Sequence, residues 1–184
     1  RECFYSLWIK SFKNKGMSIN YMVTLKGKGF VLRYYKKGDE VSVTKHINNI
    51  KIYRYTCMIP YPYTLKDGKE WARNNIKNNK KKKKENVVFL IIIDGEAVGG
   101  IGLHKIEDPK AEIGYWLGEK YWGKGIVPQA VKLVAKYGFE KLKLKRIYGT
   151  VMAPNKQSQI VMKKAGFKLE GKLRKYYNKD GKVT

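Results

Sequence analysis

Between a run of strand-forming residues and a strongly periodic helix, this chain places the loop Trp122-Gly123-Lys124-Gly125. The succession strand, loop, helix from Tyr115 to Gly138 constrains the rest of the fold. Apolar residues recur at Val127, Ala130, Val131, Val134 and Tyr137, the spacing of one helix face. Pro128 falls in the first turn, where a missing N–H costs little and a fixed φ suits a helix. Glycines let the backbone come close to a ligand, and the first N–H groups of a helix are free to hold an anion. Lys124 adds positive charge. The residues alone leave two readings of this loop, a cradle for a pyrophosphate or a plain tight turn. The Gly-Lys-Ser/Thr ending of a P-loop is absent.

After the helix, Arg146 to Val151 reads as a strand, Asn155-Lys156-Gln157-Ser158 opens a second helix, and Lys164-Ala165-Gly166-Phe167 closes it. This order resembles the GNAT superfamily of N-acetyltransferases, in particular the Rim-type branch that includes N-terminal acetyltransferases of ribosomal proteins. The family's loop follows Gln/Arg-x-x-Gly-x-Gly/Ala. Trp122 takes its first position, Gly125 the central one and Val127 the last, where a smaller residue is usual; Pro128 and Gln129 replace a common Thr-Glu. The resemblance covers roughly residues 25 to 182. It implies an α/β (α+β) fold with a mixed, mostly antiparallel sheet, a V-shaped splay between the fourth and fifth strands, and about four flanking helices. It also implies acetyl-CoA as acetyl donor. The residues that match the family's binding positions are Trp116, Leu117, Trp122, Gly123, Lys124, Gly125, Ile126, Val127, Asn155 and Ser158.

The chemistry so implied is transfer of an acetyl group from a thioester to a primary amine, with a protein N-terminus as the favoured acceptor. An α-amine with a pKa near 8 is mostly protonated at neutral pH, so a base is useful. Glu112 is the candidate base, directly or through a water, with a plain strand-end carboxylate as the alternative reading. A backbone N–H near Trp116-Leu117 can polarise the carbonyl. Ser158 resembles the serine of the family's Asn-x-x-Ser motif, proposed there to meet the departing thiolate; Tyr176 and Tyr177 stay open for that role. Asn155 suits a pantetheine amide or a helix N-cap. Two other acceptor readings stand beside the protein N-terminus. One is a small-molecule amine such as a polyamine or an aminoglycoside, and the other an RNA- or ribosome-binding module without turnover.

The net charge of +25 points to polyanionic partners, or to a lysine- and asparagine-rich genome. Lys80 to Lys84 is an unbroken basic run, read as a surface loop that either docks to ribosomal RNA or is simply solvated. No apolar run approaches the roughly 18 residues of a membrane span. Two cysteines and two histidines without ligand-spaced companions suggest no disulfide framework and no metal site, and a cytoplasmic setting. A monomer or a homodimer fits equally.

Taken in order, residues 1–16 fit nothing downstream and read as an extension, with Met17 a sensible start for a single domain to 184. A hairpin follows at Met22–Leu25 and Phe30–Tyr34, then a helix over about Glu40 to Asn48 with Asp39 as its cap. Ile52–Tyr55 is a short apolar piece. Thr64 or Asp67 starts a helix containing Trp71 and Ile76; Pro-Tyr-Thr-Leu-x-Asp at 62–67 resembles the Rim-type branch, where this region contributes to the acceptor wall, and its aromatics equally fit a core role. Val87–Ile93, Ala97–His104 and Ala111–Leu117 form an antiparallel meander, its first turn marked by Asp94-Gly95. Arg146–Val151 runs parallel to the last of these strands. Phe167–Tyr177 reads as a strand and Asn178–Gly181 as a hairpin turn, yet only Lys182, Val183 and Thr184 follow. The resemblance places a returning strand between Arg146–Val151 and the strand from Phe167. The expectation is therefore that this domain lacks its last strand, to be supplied past Thr184 or by a neighbouring molecule.

Overall fold

The computed structural model describes residues 3–10, 23–80 and 84–183. The chain runs through β1 (Cys3–Lys10), β2 (Thr24–Gly27), β3 (Phe30–Arg33), α1 (Asp39–Ile47), α2 (Ile50–Arg54) and α3 (Leu65–Lys80). It continues with β4 (Val87–Ile93), β5 (Glu96–Glu107), β6 (Lys110–Leu117), a 3-10 turn at Glu119–Tyr121, α4 (Ile126–Glu140) and β7 (Arg146–Met152). Then come α5 (Lys156–Lys164), β8 (Lys168–Arg174), β9 (Asn178–Lys179) and β10 (Lys182–Val183). Strands β1 to β8 form one sheet in the order β2-β3-β4-β5-β6-β7-β1-β8. All its pairings are antiparallel except β6 with β7. The expected mixed sheet and parallel crossover are present. Five α-helices flank the sheet where about four were expected, because the piece read as Ile52–Tyr55 coils into α2, with the Asn49 side chain accepting from the Lys51 N–H at 2.8 Å.

Sequence chemistry accounts for the frame. β4 is apolar throughout because both its faces are covered, by α4 on one side and by α1 and α3 on the other. Asp94 and Gly95 take positive φ of 48° and 81°, the two-residue hairpin that joins β4 to β5. Ala130, Val131 and Val134 of α4 are wholly buried against the sheet. At the start of α3, Thr64 and Asp67 cap each other's backbone N–H groups. Asp39 does not cap α1, as its position had suggested. It is the first helical residue, after Gly38 in the left-handed region, and is drawn into a two-pronged pair with Arg33 at 2.7 and 2.8 Å. Lys80 ends α3, and the middle of the basic run, 81–83, lies outside the described residues. Lys84 places its ammonium 5.6 Å from the Tyr34 ring centroid. No helix among the described residues is long and apolar enough to cross a membrane.

The N-terminal segment corrects two expectations. Residues 3–10 form β1, inserted between β7 and β8 and antiparallel to both. The slot expected to lack a strand is therefore filled by the stretch that was read as fitting nothing downstream. The physical reason is the joint demand of the two neighbours. β7 and β8 each present a row of ladder groups, and leaving a buried one unpaired costs about 1–3 kcal/mol. Phe4, Leu7 and Ile9 are buried in the process. Leu7 and Ile9 enter the core on one face of the sheet, while Phe4, on the other face, packs against Tyr176 and Tyr177.

The hairpin at the other end shares this register. Val183 stands opposite Asn178 and Lys182 opposite Lys179. If Arg1 is counted as the residue after Thr184, Cys3 opposite Arg174 and Phe4 opposite Leu173 continue that ladder without a shift. A permuted chain that begins at Met17, passes through Thr184 and continues with Arg1–Gly16 should therefore keep the same sheet. Its unfolding midpoint should lie within about 4 °C of the unpermuted chain, the shift that ~1 kcal/mol makes in a domain of this size. Calorimetry of both chains checks this, and a midpoint lowered by more than about 10 °C would show that β1 depends on its connection through residues 11–22.

Candidate active site

β6 and β7 pair over only three positions, Lys110 with Arg146, Ala111 with Ile147 and Glu112 with Tyr148. Beyond them β6 stays paired to β5 as far as Leu117, and β7 to β1 as far as Met152. The two parallel strands part, and a cleft opens toward their carboxyl ends. Ile113 and Met162 fill its base beside Gly149, where an added Cβ would come within 2.7 Å of the Met162 methyl. In an antiparallel ladder, successive residues turn their backbone groups alternately to one side and the other. The Gly118 N–H bonds to the Val98 carbonyl at 2.8 Å, so that of Trp116 also turns into β5. The groups of Tyr115 and Leu117 then face the cleft. Of the pair Trp116-Leu117, only Leu117 offers its N–H there. The Leu117 carbonyl is already taken by the Trp122 indole N–H at 2.7 Å.

The glycine loop leaves β6 at the rim of this cleft. Gly123 and Gly125 sit at φ of 75° and 70°, in the left-handed region, and Gly125 is the N-cap of α4 without any side-chain cap. None of the N–H groups from Gly123 to Val127 donates to another backbone group. Pro128, third in the helix, contributes none, so the donors available to an anion come from the loop and from Ile126 and Val127. Lys120 and Lys124 place their ammonium groups 4.9 and 5.3 Å from the Tyr121 ring centroid. The preceding turn is fixed from α2 by Glu119, which accepts from Asn49 at 2.8 Å and from Lys51; these bonds hold its carboxyl below the usual range. Gln129 ties the start of α4 to the β2–β3 turn through the Lys28 N–H at 3.3 Å.

At the end of β7, Asn155 caps α5 by accepting the Ser158 N–H at 3.0 Å. The cap reading of Asn155 is thus realised, which leaves its amide NH2 for another partner. The Ser158 hydroxyl meets Tyr115, whose phenol oxygen stands 2.6 Å from Ser158 Oγ and 3.3 Å from the Ser158 carbonyl oxygen. Burial pushes the Tyr115 phenol up to about 12, against a smaller lowering by the bond to Ser158. Tyr176 and Tyr177, the tyrosines kept open from the sequence, pack their rings against Phe4 of β1 instead, and the Tyr177 hydroxyl donates to Met58 Sδ at 2.8 Å. Tyr115 was missed. The available signal was strand alternation, which puts it with Ile113 and Leu117 on the face that meets α4 and α5.

Glu112 stands at the apex, in the last pair before the strands part. One carboxylate oxygen accepts from Thr150 Oγ1 at 2.7 Å and the other from Lys105 Nζ at 2.8 Å. That bond raises the Lys105 ammonium, with burial opposing it. His104, set aside in the sequence for want of a companion, is the cross-strand partner of Glu112, and burial lowers its imidazole. Cys57 and Tyr148 complete this face. Burial raises both, and the charge of Glu112 adds to it. Lys179 reaches the carbonyl oxygens of Tyr53 and Thr56, clamping the C-terminal hairpin to the end of α2. The residues singled out from the sequence therefore lie along the two parallel strands and the loops at their carboxyl ends, with Glu112 at the closed end.

A family model described as an acetyltransferase (GNAT) domain matches residues 29–168. The ribosomal-protein-serine acetyltransferase of Escherichia coli is 36% identical over 89 residues, 47% of this chain and 50% of that protein. The spermidine N(1)-acetyltransferase of Escherichia coli is 28% identical over 144 residues, 77% of this chain and 74% of that protein. A solved acetyltransferase of the GNAT family from Bacillus anthracis superposes with a TM-score of 0.75 at 26% identity, over 88% of this chain and 93% of that one. In several other alignments with curated relatives, from Bacillus species, the chain spans about half the relative's length.

The loop can be tested without confusing charge with backbone strain. Asn and Asp both tolerate the left-handed region, and nothing lies within 4 Å of a Cβ at Gly125. If these N–H groups hold a diphosphate, Gly125→Asp should raise the acetyl-CoA dissociation constant at least about tenfold over Gly125→Asn, a difference of ~1.4 kcal/mol. Titration calorimetry measures both. Equal affinities for the two variants would remove the loop from the binding site.

Proposed function

The chain belongs to the GNAT acetyltransferase family, and from that premise we propose that it transfers an acetyl group from acetyl-CoA to a primary amine, with a protein N-terminal α-amine as its acceptor. The observation that carries the reading is the cleft between β6 and β7, with a glycine loop at its open end and a carboxylate at its apex. Free N–H groups from Gly123 to Val127, together with Lys124, suit the diphosphate. Leu117 offers the N–H that would face the thioester carbonyl, and Trp116 and Trp122 hold the strand end and loop around it. Glu112 would first pass the ammonium proton to water, so that the neutral amine attacks, and then take the proton that the nitrogen sheds as the amide forms. As the C–N bond forms and the C–S bond breaks, the thiolate leaves beside Ser158, and Asn155 fixes that serine's backbone.

Charge supports this acceptor, and so does the ribosomal-protein-serine acetyltransferase among the relatives, which stands beside a spermidine N(1)-acetyltransferase. A polyamine carries several positive charges and needs several carboxylates. On this face Glu112 is already matched by Lys105, and Lys179 stands beside Cys57. An α-amine needs one base only. Contact of the Lys80–Lys84 run with ribosomal RNA belongs to the same proposal, supported by the net charge of +25.

Acetylated products counted by mass spectrometry will decide the acceptor. Peptides with ribosomal-protein N-termini should exceed spermidine in kcat/KM by about tenfold or more, a difference of ~1.4 kcal/mol in transition-state binding. A preference for spermidine or for an aminoglycoside would overturn the peptide reading and leave the transferase reading intact. Glu112→Gln should lower kcat/KM about 100-fold near pH 7. The loss should shrink above pH 9, where an amine with a pKa near 8 is already neutral. A loss that is the same at pH 6.5 and pH 9 would remove Glu112 as the base.

A further inference from the structure

The tyrosine that the sequence reading passed over has a geometry suited to one task. Tyr115 projects from β6 across the open cleft to the first turn of α5. There its hydroxyl lies 2.6 Å from Ser158 Oγ and 3.3 Å from the Ser158 carbonyl oxygen. The Ser158 N–H is held separately, by Asn155 Oδ1 at 3.0 Å. Ser158 is thus gripped at its N–H, its carbonyl and its hydroxyl. Such a grip on one half-buried serine exceeds what capping the helix requires, since the Asn155 bond alone does that.

We propose that Tyr115 is a positioning residue for acetyl transfer, its phenol holding Ser158 Oγ so that the serine hydrogen points at the departing thiolate. A hydroxyl carries one hydrogen and accepts at its lone pairs. When the phenol donates to Ser158 Oγ, the serine hydrogen is released for another acceptor. When the phenol donates to the Ser158 carbonyl, the serine hydrogen turns back to the phenol oxygen. An anionic sulfur at the end of the cleft selects the first arrangement, because hydrogen bonds to ions are the stronger ones.

Tyr115 itself keeps its proton throughout. Burial holds the phenol near 12, while a thiol loses its proton at about 8.5, so handing the phenol proton to sulfur is unfavourable by roughly three powers of ten. The step balances without it. The C–N bond forms, the C–S bond breaks, the electron pair leaves on sulfur as a hydrogen-bonded thiolate, and the amine proton passes to Glu112.

The inference rests on the reading that Ser158 meets the thiolate, and one kinetic cycle on the full chain separates the two. Ser158→Ala should lower kcat about 100-fold, with the KM for acetyl-CoA within about twofold of the parent. Tyr115→Phe keeps the ring and should lower kcat about tenfold, again with little change in KM. In the Ser158→Ala background the Tyr115→Phe factor should vanish, whereas in Ser158→Thr, which retains a hydroxyl, it should persist. A Tyr115→Phe factor of the same size with and without a hydroxyl at 158 would mark a merely structural tyrosine and overturn the proposal while leaving Ser158 in its role. An unchanged kcat in Tyr115→Phe beside an impaired Ser158→Ala would overturn it too. An unchanged kcat in Ser158→Ala would remove the thiolate reading itself, and the proposal with it.

Discussion

The short ladder between β6 and β7 is the constraint on which the rest of the molecule depends. A parallel pair that continued past Glu112 and Tyr148 would satisfy more backbone groups and close the cleft. Instead the interior side chains Ile113, Met162 and Tyr115 occupy the space between the strands, and the backbone groups of Tyr115 and the N–H of Leu117 are left facing it. Each such group costs about 1–3 kcal/mol if buried without a partner. Exposed to water or to a ligand's amides it costs much less. The fold therefore carries a line of donors and acceptors that only an extended polar ligand can match, and a pantetheine arm is such a ligand.

Keeping the strands apart requires that β7 be held from its other side. β1 does this along the whole length of β7, from Phe4 opposite Met152 to Lys10 opposite Arg146. A side-chain chain of Ser6, Glu170 and Arg146 links β1, β8 and β7, with Ser6 Oγ 3.2 Å from the Glu170 carboxylate. Arg146 holds that carboxyl below the usual range. β1 also reaches the segment that leads into the C-terminal hairpin. Phe4 lies 5.7 and 6.1 Å from the ring centroids of Tyr176 and Tyr177, and Tyr177 in turn meets Met58. One strand thus sets both the width of the cleft and the wall beside it.

Local signals in the sequence lead directly to the elements they describe. The period of α4, the Asp94-Gly95 turn, the mutual cap of Thr64 and Asp67, and the Asn155 cap are each formed by residues a few positions apart. What the sequence hides is set by partners far along the chain. Cys3–Lys10 is rich in strand formers, yet both of its faces carry buried residues, so its burial does not alternate, and its partners lie more than a hundred residues away. Asp39 has the chemistry of a cap, and Arg33 across the turn offers it two charge-assisted bonds instead. Tyr115 looks like one more aromatic of a buried strand until the start of α5 is placed opposite it. The places of Glu112 on its strand and of Ser158 at its helix start were legible in the sequence, whereas their hydrogen-bond partners were not.

Those orienting partners differ in what they contribute. Lys105 and Thr150 both bind Glu112, but the Lys105 side chain is 63% exposed, and an ion pair so close to water contributes about 0–1 kcal/mol. Thr150 sits one strand over, its backbone fixed in β7 by β1, and its hydroxyl bond to Glu112 is shorter and less exposed to solvent. The lysine is therefore a loose surface partner of the carboxylate, while the threonine fixes where its oxygen points. On the other side of the cleft both partners of Ser158 are rigid, Asn155 as the helix cap at its N–H and Tyr115 of β6 at its hydroxyl.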